Sequence, residues 1–231
     1  VEQPQFTVGR PGSLIDPAKD IIPGAGRHLY AVASGVAITG ADKRGVSLCP
    51  LDSPLVSLDE PGLWQYSLDF TPKRARVFFN LYNNQWDTNF PLWQEGSWTS
   101  RVRLWVVRGR GDTEKQLLTP SWEARLPLLG VFTDGPGGKL PAKANGVELS
   151  RRGVLVTSFG GDPYTDTTLL RLWEVAGKSG RLTVKLPAGL GLTSALPVNL
   201  RGEREGKPIG IHGGSFKFYL SAFAPASFVL Q

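Results

Sequence analysis

The 231-residue chain carries 41% hydrophobic and 20% charged residues, a balance that excludes a disordered tail and allows one large all-β unit or two smaller sandwiches. No run approaches the roughly 18 apolar residues of a membrane-spanning helix. The net charge of +6 comes from basic residues scattered along the chain, with short runs only at residues 73–76, 101–103, 108–110 and 151–152, which is the pattern of solvated strand faces rather than of a nucleic-acid footprint. Nucleic acid and membrane are both set aside as partners on these grounds.

The chain holds no Met and opens on Val1-Glu2-Gln3-Pro4, which is read as a segment cut from a longer polypeptide. Residues 1–27 place Pro4, Pro11, Pro17 and Pro23 among Gly9, Gly12, Gly24 and Gly26, a composition that predicts an extended arm lying across the fold. From residue 28 to 148 short alternating runs predict a larger, aromatic sheet region. Residues 75–82 read as a strand with Val77, Phe79 and Leu81 on one face and Phe78, Asn80 and Tyr82 on the other, both covered. Residues 101–106 read as a half-buried strand with Val102, Leu104 and Val106 on one face and Arg101, Arg103 and Trp105 on the other. The one helix signal is Thr119-Pro120, where Thr could cap and Pro could take the first helical position. Turn residues at 134–138 and 143–146 break the hydrophobic rhythm, and residues 149–231 then read as a small sandwich of about six to eight strands, with 181–186 and 215–220 as half-buried strands.

Few residues here offer chemistry. Cys49 is the sole cysteine, so it makes no internal disulfide or thiolate metal site, and its place between Leu48 and Pro50 suits a small buried hydrophobe. His28 and His212 are far apart, with no acid at a metal-ligand or triad spacing. A mutarotase-type pair of one His with one carboxylate stays open, as does a two-carboxylate glycosidase drawing on Asp16, Asp20, Asp52 or Asp87. The dense constellation runs from Asn80 to Trp93 and is followed by Trp98. Sugars present apolar C–H faces rimmed by hydroxyls, so a site for them wants flat aromatic surfaces beside fixed amides and carboxylates. Asn84, Trp86, Asp87, Thr88, Asn89 and Trp93 are the candidate contacts with carbohydrate or with a neighbouring domain. Trp residues in a core and Asn residues closing turns would give the same text.

Three stretches, Phe6-Thr7-Val8-Gly9-Arg10-Pro11-Gly12-Ser13 running on to Asp20, Gly45-Val46-Ser47-Leu48-Cys49-Pro50 running on to Pro54, and Asn83-Asn84-Gln85-Trp86-Asp87-Thr88-Asn89-Phe90, resemble the C-terminal region of bacterial proteins similar to family 38 glycoside hydrolases, the α-mannosidase type. Leu169-Leu170-Arg171-Leu172-Trp173-Glu174 is similar to that family's terminal β-sandwich, so the resemblance covers nearly the whole chain. It implies an all-β chain, a galactose-mutarotase-like supersandwich portion followed by a small C-terminal β-sandwich. It implies a non-catalytic region that shapes a substrate cleft and braces an upstream catalytic domain of the same polypeptide, with carbohydrate as the other partner. Zinc would sit in that catalytic domain, and no cofactor and no catalytic residue is assigned to this chain. Export, periplasmic or secreted, is the setting such a polysaccharide-processing protein implies. The alternatives are a self-contained mutarotase-like or glycosidase enzyme and a lectin-like glycan-binding module.

Overall fold

Every strand pairing among the described residues is antiparallel, as expected where each ladder is closed by a short connection. The computed structural model describes residues 2–62, 66–82, 93–109, 111–132, 134–135, 137–138, 141–162, 165 and 167–231. They form two compact units, Val1–Pro127 and Leu128–Gln231, and the fold is an all-β sandwich with, among the described residues, one short α-helix.

In the first unit the strands are β1 (Gln5–Arg10), β2 (Ser13–Ile15), β3 (Tyr30–Ala31), β4 (Gly35–Thr39), β5 (Gly45–Pro50), β6 (Leu55–Leu58), β7 (Val77–Phe79) and β8 (Val102–Val107). A five-stranded sheet in the order β2-β1-β4-β5-β8 faces a three-stranded sheet in the order β3-β6-β7. Phe6, Val8, Val36, Ile38 and Leu48 from the first meet Tyr30, Val56 and Leu58 from the second to make the core. Each such buried side chain contributes about 1.5–3 kcal/mol by leaving water.

Three expectations are corrected here. Residues 1–27 are not an arm throughout, because β1 and β2 form a hairpin in which Arg10 pairs with Ser13 across Pro11-Gly12. Proline presets the first turn position and Gly12, at φ 75°, supplies the second, so residues that looked like loop punctuation close a strand pair. The strand expected over 75–82 stops at Phe79, and Leu81 and Tyr82 lie exposed beyond it. On β8, Leu104 and Val106 are not buried: they share a sheet face with Leu48 and Val46, but remain 66% and 65% exposed because the three-stranded sheet does not reach over them. Trp105, on the opposite face, is half-buried.

What covers that opposite face is a π-helical turn, Glu114–Leu118, running directly into α1 (Thr119–Arg125). Trp105 Nε1 donates to the Gln116 carbonyl at 2.7 Å, and Arg125 Nη2 donates to the Pro50 carbonyl at 2.6 Å. Pro120 sits in the first helical positions as expected, but Thr119 does not cap. The preceding turn already gives Leu118 helical dihedrals, and the Thr119 hydroxyl donates to the Glu114 carboxylate instead.

The second unit holds β9 (Glu148–Leu149), β10 (Val154–Gly161), β11 (Thr168–Glu174), β12 (Gly180–Lys185), β13 (Ser194–Val198), β14 (Ile209–Gly210), β15 (Ser215–Leu220) and β16 (Pro225–Leu230). A five-stranded sheet ordered β10-β11-β16-β13-β14 faces a three-stranded one ordered β15-β12-β9. Leu170, Leu172, Phe228 and Leu230 pack against Leu182, Val184, Phe216 and Leu220. The alternation expected over 181–186 and 215–220 is met by β12 and β15, where Leu182, Val184, Phe216 and Leu220 are inward and Arg181, Lys185, Lys217 and Tyr219 outward. The division between units falls at Pro127/Leu128, ahead of the expected boundary at 148, and Glu148 already pairs with Lys185 inside the second sandwich.

Candidate functional site

The connection from β7 to β8 carries the aromatic and amide residues singled out in the sequence. Its two ends are tied to one segment, the link between β5 and β6. At the β7 end the Asn80 N–H donates to the Leu55 carbonyl at 3.0 Å. At the β8 end the Leu51 N–H donates to the Arg101 carbonyl at 2.9 Å, and the Ser53 and Ser100 hydroxyls bond each other at 3.0 Å. Asp52 completes the anchor: Oδ2 accepts from the Arg101 N–H and Nε at 2.8 and 3.0 Å, and Oδ1 accepts from Nη2 at 2.8 Å. This two-pronged guanidinium bond and the backbone donor hold the Asp52 carboxyl down at about 2. Such a group is ionised throughout the neutral range and has no proton to give, so Asp52 acts as a loop anchor.

Between these anchors, Trp98 stacks on Tyr82 with ring centroids 5.4 Å apart and planes 23° from parallel. Both rings are open to water, Trp98 being 59% exposed. Trp93 stands 77% exposed on the same connection. A core would bury these faces; here they are displayed. Stacked aromatic pairs contribute about 0.5–1.5 kcal/mol beyond area burial, which favours a fixed ring face at the surface. Exposed flat apolar faces grouped on one connection make this a candidate recognition patch.

Of the expected contacts, Trp93 is placed by the structure, whereas Asn84, Trp86, Asp87, Thr88 and Asn89 lie outside the described residues. The alternation over 75–82 places Tyr82 on a covered strand face, whereas in the structure it lies beyond β7 and stacks on Trp98. Their pairing was not visible in sequence, although the signal was there in two aromatics bracketing an amide-rich segment.

Asp16 and Asp20, the other candidate acids among the described residues, are turn formers. Asp16 Oδ1 accepts from the Ala18 N–H at 2.9 Å and Oδ2 pairs with Lys19 at 2.9 Å, while Asp20 accepts from the Asp16 N–H at 2.7 Å. His28 packs edge-on against Tyr66, with centroids 5.1 Å apart, and among the described residues neither His28 nor His212 bonds a carboxylate. Cys49 is fully buried, its thiol directed at the Pro50 and Ser121 carbonyls. Among the described residues no three of His, Cys, Asp and Glu come together in a way that could hold a metal ion. Among the described residues no helix is long and apolar enough to cross a membrane.

No protein-family model matches the sequence, and no curated protein does either. Among solved structures, the fold is similar to that of an α-mannosidase from Enterococcus faecalis V583, with a TM-score of 0.59 and 12% sequence identity. The similarity covers 98% of this chain and 24% of that one, so the chain spans about a quarter of the neighbour's length. At this identity the likeness is one of fold.

Proposed function

We propose that the chain is a non-catalytic, carbohydrate-associated β region of a glycoside-hydrolase-like protein related to α-mannosidases, C-terminal in position and galactose-mutarotase-like in its first sandwich. The observation that carries this reading is the water-exposed stack of Trp98 on Tyr82, with Trp93 on the same anchored connection: flat apolar faces of this kind suit the C–H face of a pyranose. Asn84, Trp86, Asp87, Thr88 and Asn89 would supply the hydroxyl partners beside them. The fold shared with about a quarter of an α-mannosidase chain supports a setting in which a separate catalytic domain does the chemistry. Zinc, which the resemblance implies, would be held by that domain. The uncovered apolar face of Val46, Leu104 and Val106 fits the bracing role, because a continuation of a core face left in water is stabilised by a domain that covers it.

The test is a glycan array with the 231-residue chain, followed by titration of the best saccharide against wild type, Trp98→Ala and Tyr82→Ala. Trp98→Ala is expected to weaken binding about tenfold, equivalent to ~1.4 kcal/mol, with an unchanged melting temperature. Binding that ignores both substitutions would remove the platform. Cleavage of aryl α-mannosides by the chain alone, abolished by changing one carboxylate, would favour the self-contained enzyme instead. Strong array binding without any catalytic partner domain encoded in the same polypeptide would favour the lectin-like module.

A further inference from the structure

The second unit carries an open groove of about 830 Å³ where the loops at 141–146, 187–192 and 213–214 meet. Its wall is apolar at Leu190 and Leu192, and its rim is polar at Asn145, Glu148 and Lys185. Glu148 and Lys185 are register partners on β9 and β12. Glu148 Oε1 accepts from Asn145 Nδ2 at 2.9 Å and from Lys185 Nζ at 3.1 Å. These two bonds, the amide's first, hold the carboxyl below its ordinary range. Among the described residues Glu148 Oε2, the Asn145 amide oxygen and the remaining Lys185 N–H groups take no partner. Acceptor and donor therefore stand side by side, bonded to each other through Glu148 Oε1 and with spare capacity left over.

The loops that border the groove have little side chain to obstruct it. Gly189, Gly191 and Gly213 hold φ values of 83°, 65° and 55°, conformations that glycine adopts without strain, and a Cβ added at any of them would meet no atom within 4 Å. The space beside their Cα atoms is thus open to a ligand. The bland account of the triad is a solvated ion pair that pins the two-residue strand β9. An ion pair of that kind explains the bonds among Asn145, Glu148 and Lys185 but gives no use to the open glycine loops or to Leu190 and Leu192 in the same lining.

We propose that this groove is a saccharide subsite that takes a neutral sugar through two adjacent hydroxyls. One hydroxyl donates to Glu148, and its neighbour accepts from Lys185 or Asn145. The C–H face of the ring lies on Leu190 and Leu192. Neutrality follows from the charges: the carboxylate and ammonium cancel, so an anionic ligand drawn to Lys185 meets Glu148 at the same place. The site stands in the other unit from the Tyr82–Trp98 stack and does not rest on it.

The experiment is a titration of the full, ¹⁵N-labelled chain with methyl α-D-mannopyranoside, methyl α-D-glucopyranoside and glucuronate, followed by amide shifts. Saturable shifts in the millimolar range are expected with at least one neutral glycoside at the Gly189, Gly191, Gly213 and Gly214 backbone amides and the Asn145 side-chain amide. Glu148→Gln and Asn145→Ala should each weaken that binding about tenfold, the scale of a lost hydrogen bond to a charged group. Their melting temperatures should stay close to wild type, and Trp98→Ala should leave these shifts untouched. The proposal is overturned by no saturation up to roughly 100 mM, by shifts confined to other residues, by binding of glucuronate alone, or by full affinity in both triad variants.

Discussion

The Glu174 carboxylate sits at the end of β11 with no solvent exposure, and four donors converge on it. Oε1 accepts from Arg151 Nη1 and the Ala176 N–H, each at 3.2 Å; Oε2 accepts from the Gly177 and Phe223 N–H groups at 2.8 and 2.9 Å. Two turns, 175–177 and 221–223, are thereby fixed by one side chain, and Gly177 and Phe223 hold left-handed dihedrals within them. Removing the acceptor leaves three part-buried N–H groups and one arm of the Arg151 guanidinium without their partner, while Arg151 Nη2 keeps the Lys178 carbonyl, so Glu174→Ala should cost about 3 kcal/mol in urea unfolding. Arg151→Met should cost distinctly less, because three backbone donors still hold the carboxylate. Asp52 makes a different prediction, since its anchor lies at the surface and responds to pH. Its folded value of about 2 lies below the ordinary 3.8, so its stabilising effect is fully present above the unfolded value and disappears as pH falls through about 2. Melting curves of wild type and Asp52→Asn should differ by a constant amount above about pH 5 and converge toward pH 2. A constant gap down to pH 2 would show that the Arg101 pair does not hold in solution.

At the scale of elements, β8 separates two properties that alternation confounds. Period-2 patterning correctly grouped Val102, Leu104 and Val106 on one face, because successive side chains must point to opposite sides of a strand. It could not report how far the facing sheet extends, and that is a matter of strand number in a different layer. The same limit explains β1: Phe6 and Val8 are core residues, but their short run stands among prolines and glycines whose turn role is fixed only once β2 pairs back. In β12 and β15, where both layers are complete over the strand, the faces read from the sequence and those in the fold coincide. A graded outcome follows for β8 and its neighbour. Leu104→Thr and Val106→Thr should change the stability of this chain by no more than about 0.5 kcal/mol, whereas Leu48→Ala, one strand inward on the same face, should cost about 2–5 kcal/mol. Urea midpoints measure both, and a large loss from Leu104→Thr would mean that this face is covered in solution.

For the whole molecule, the all-β class was legible because turn residues recur every few positions and each β-rich run is short, so no long helix could compete. The site was legible only as a region: composition drew attention to the Asn80–Trp93 text, but a stack between Tyr82 and Trp98 depends on where β7 stops and on the Asp52–Arg101 anchor, neither of which is written locally. The division into units was likewise blurred, because the stretch that joins them is apolar and looks like a strand. Residues 126–132 hold Leu126, Leu128, Leu129, Val131 and Phe132, all strongly exposed, with Phe132 fully so, and residues 127–132 make no backbone hydrogen bond among the described residues. Apolar side chains on an unpaired, exposed backbone are a substrate for thermolysin, which cuts before such residues, whereas the exposed stretch at Trp93–Trp98 offers it no aliphatic position. Limited thermolysis should therefore cut first at 128–132 and release two fragments. Because each core is built from residues of its own unit, the C-terminal fragment should keep a strand-type circular dichroism spectrum and unfold cooperatively. A first cut inside β10 to β16, or a C-terminal fragment that melts without a transition, would show that the second sandwich is not an independent folding unit.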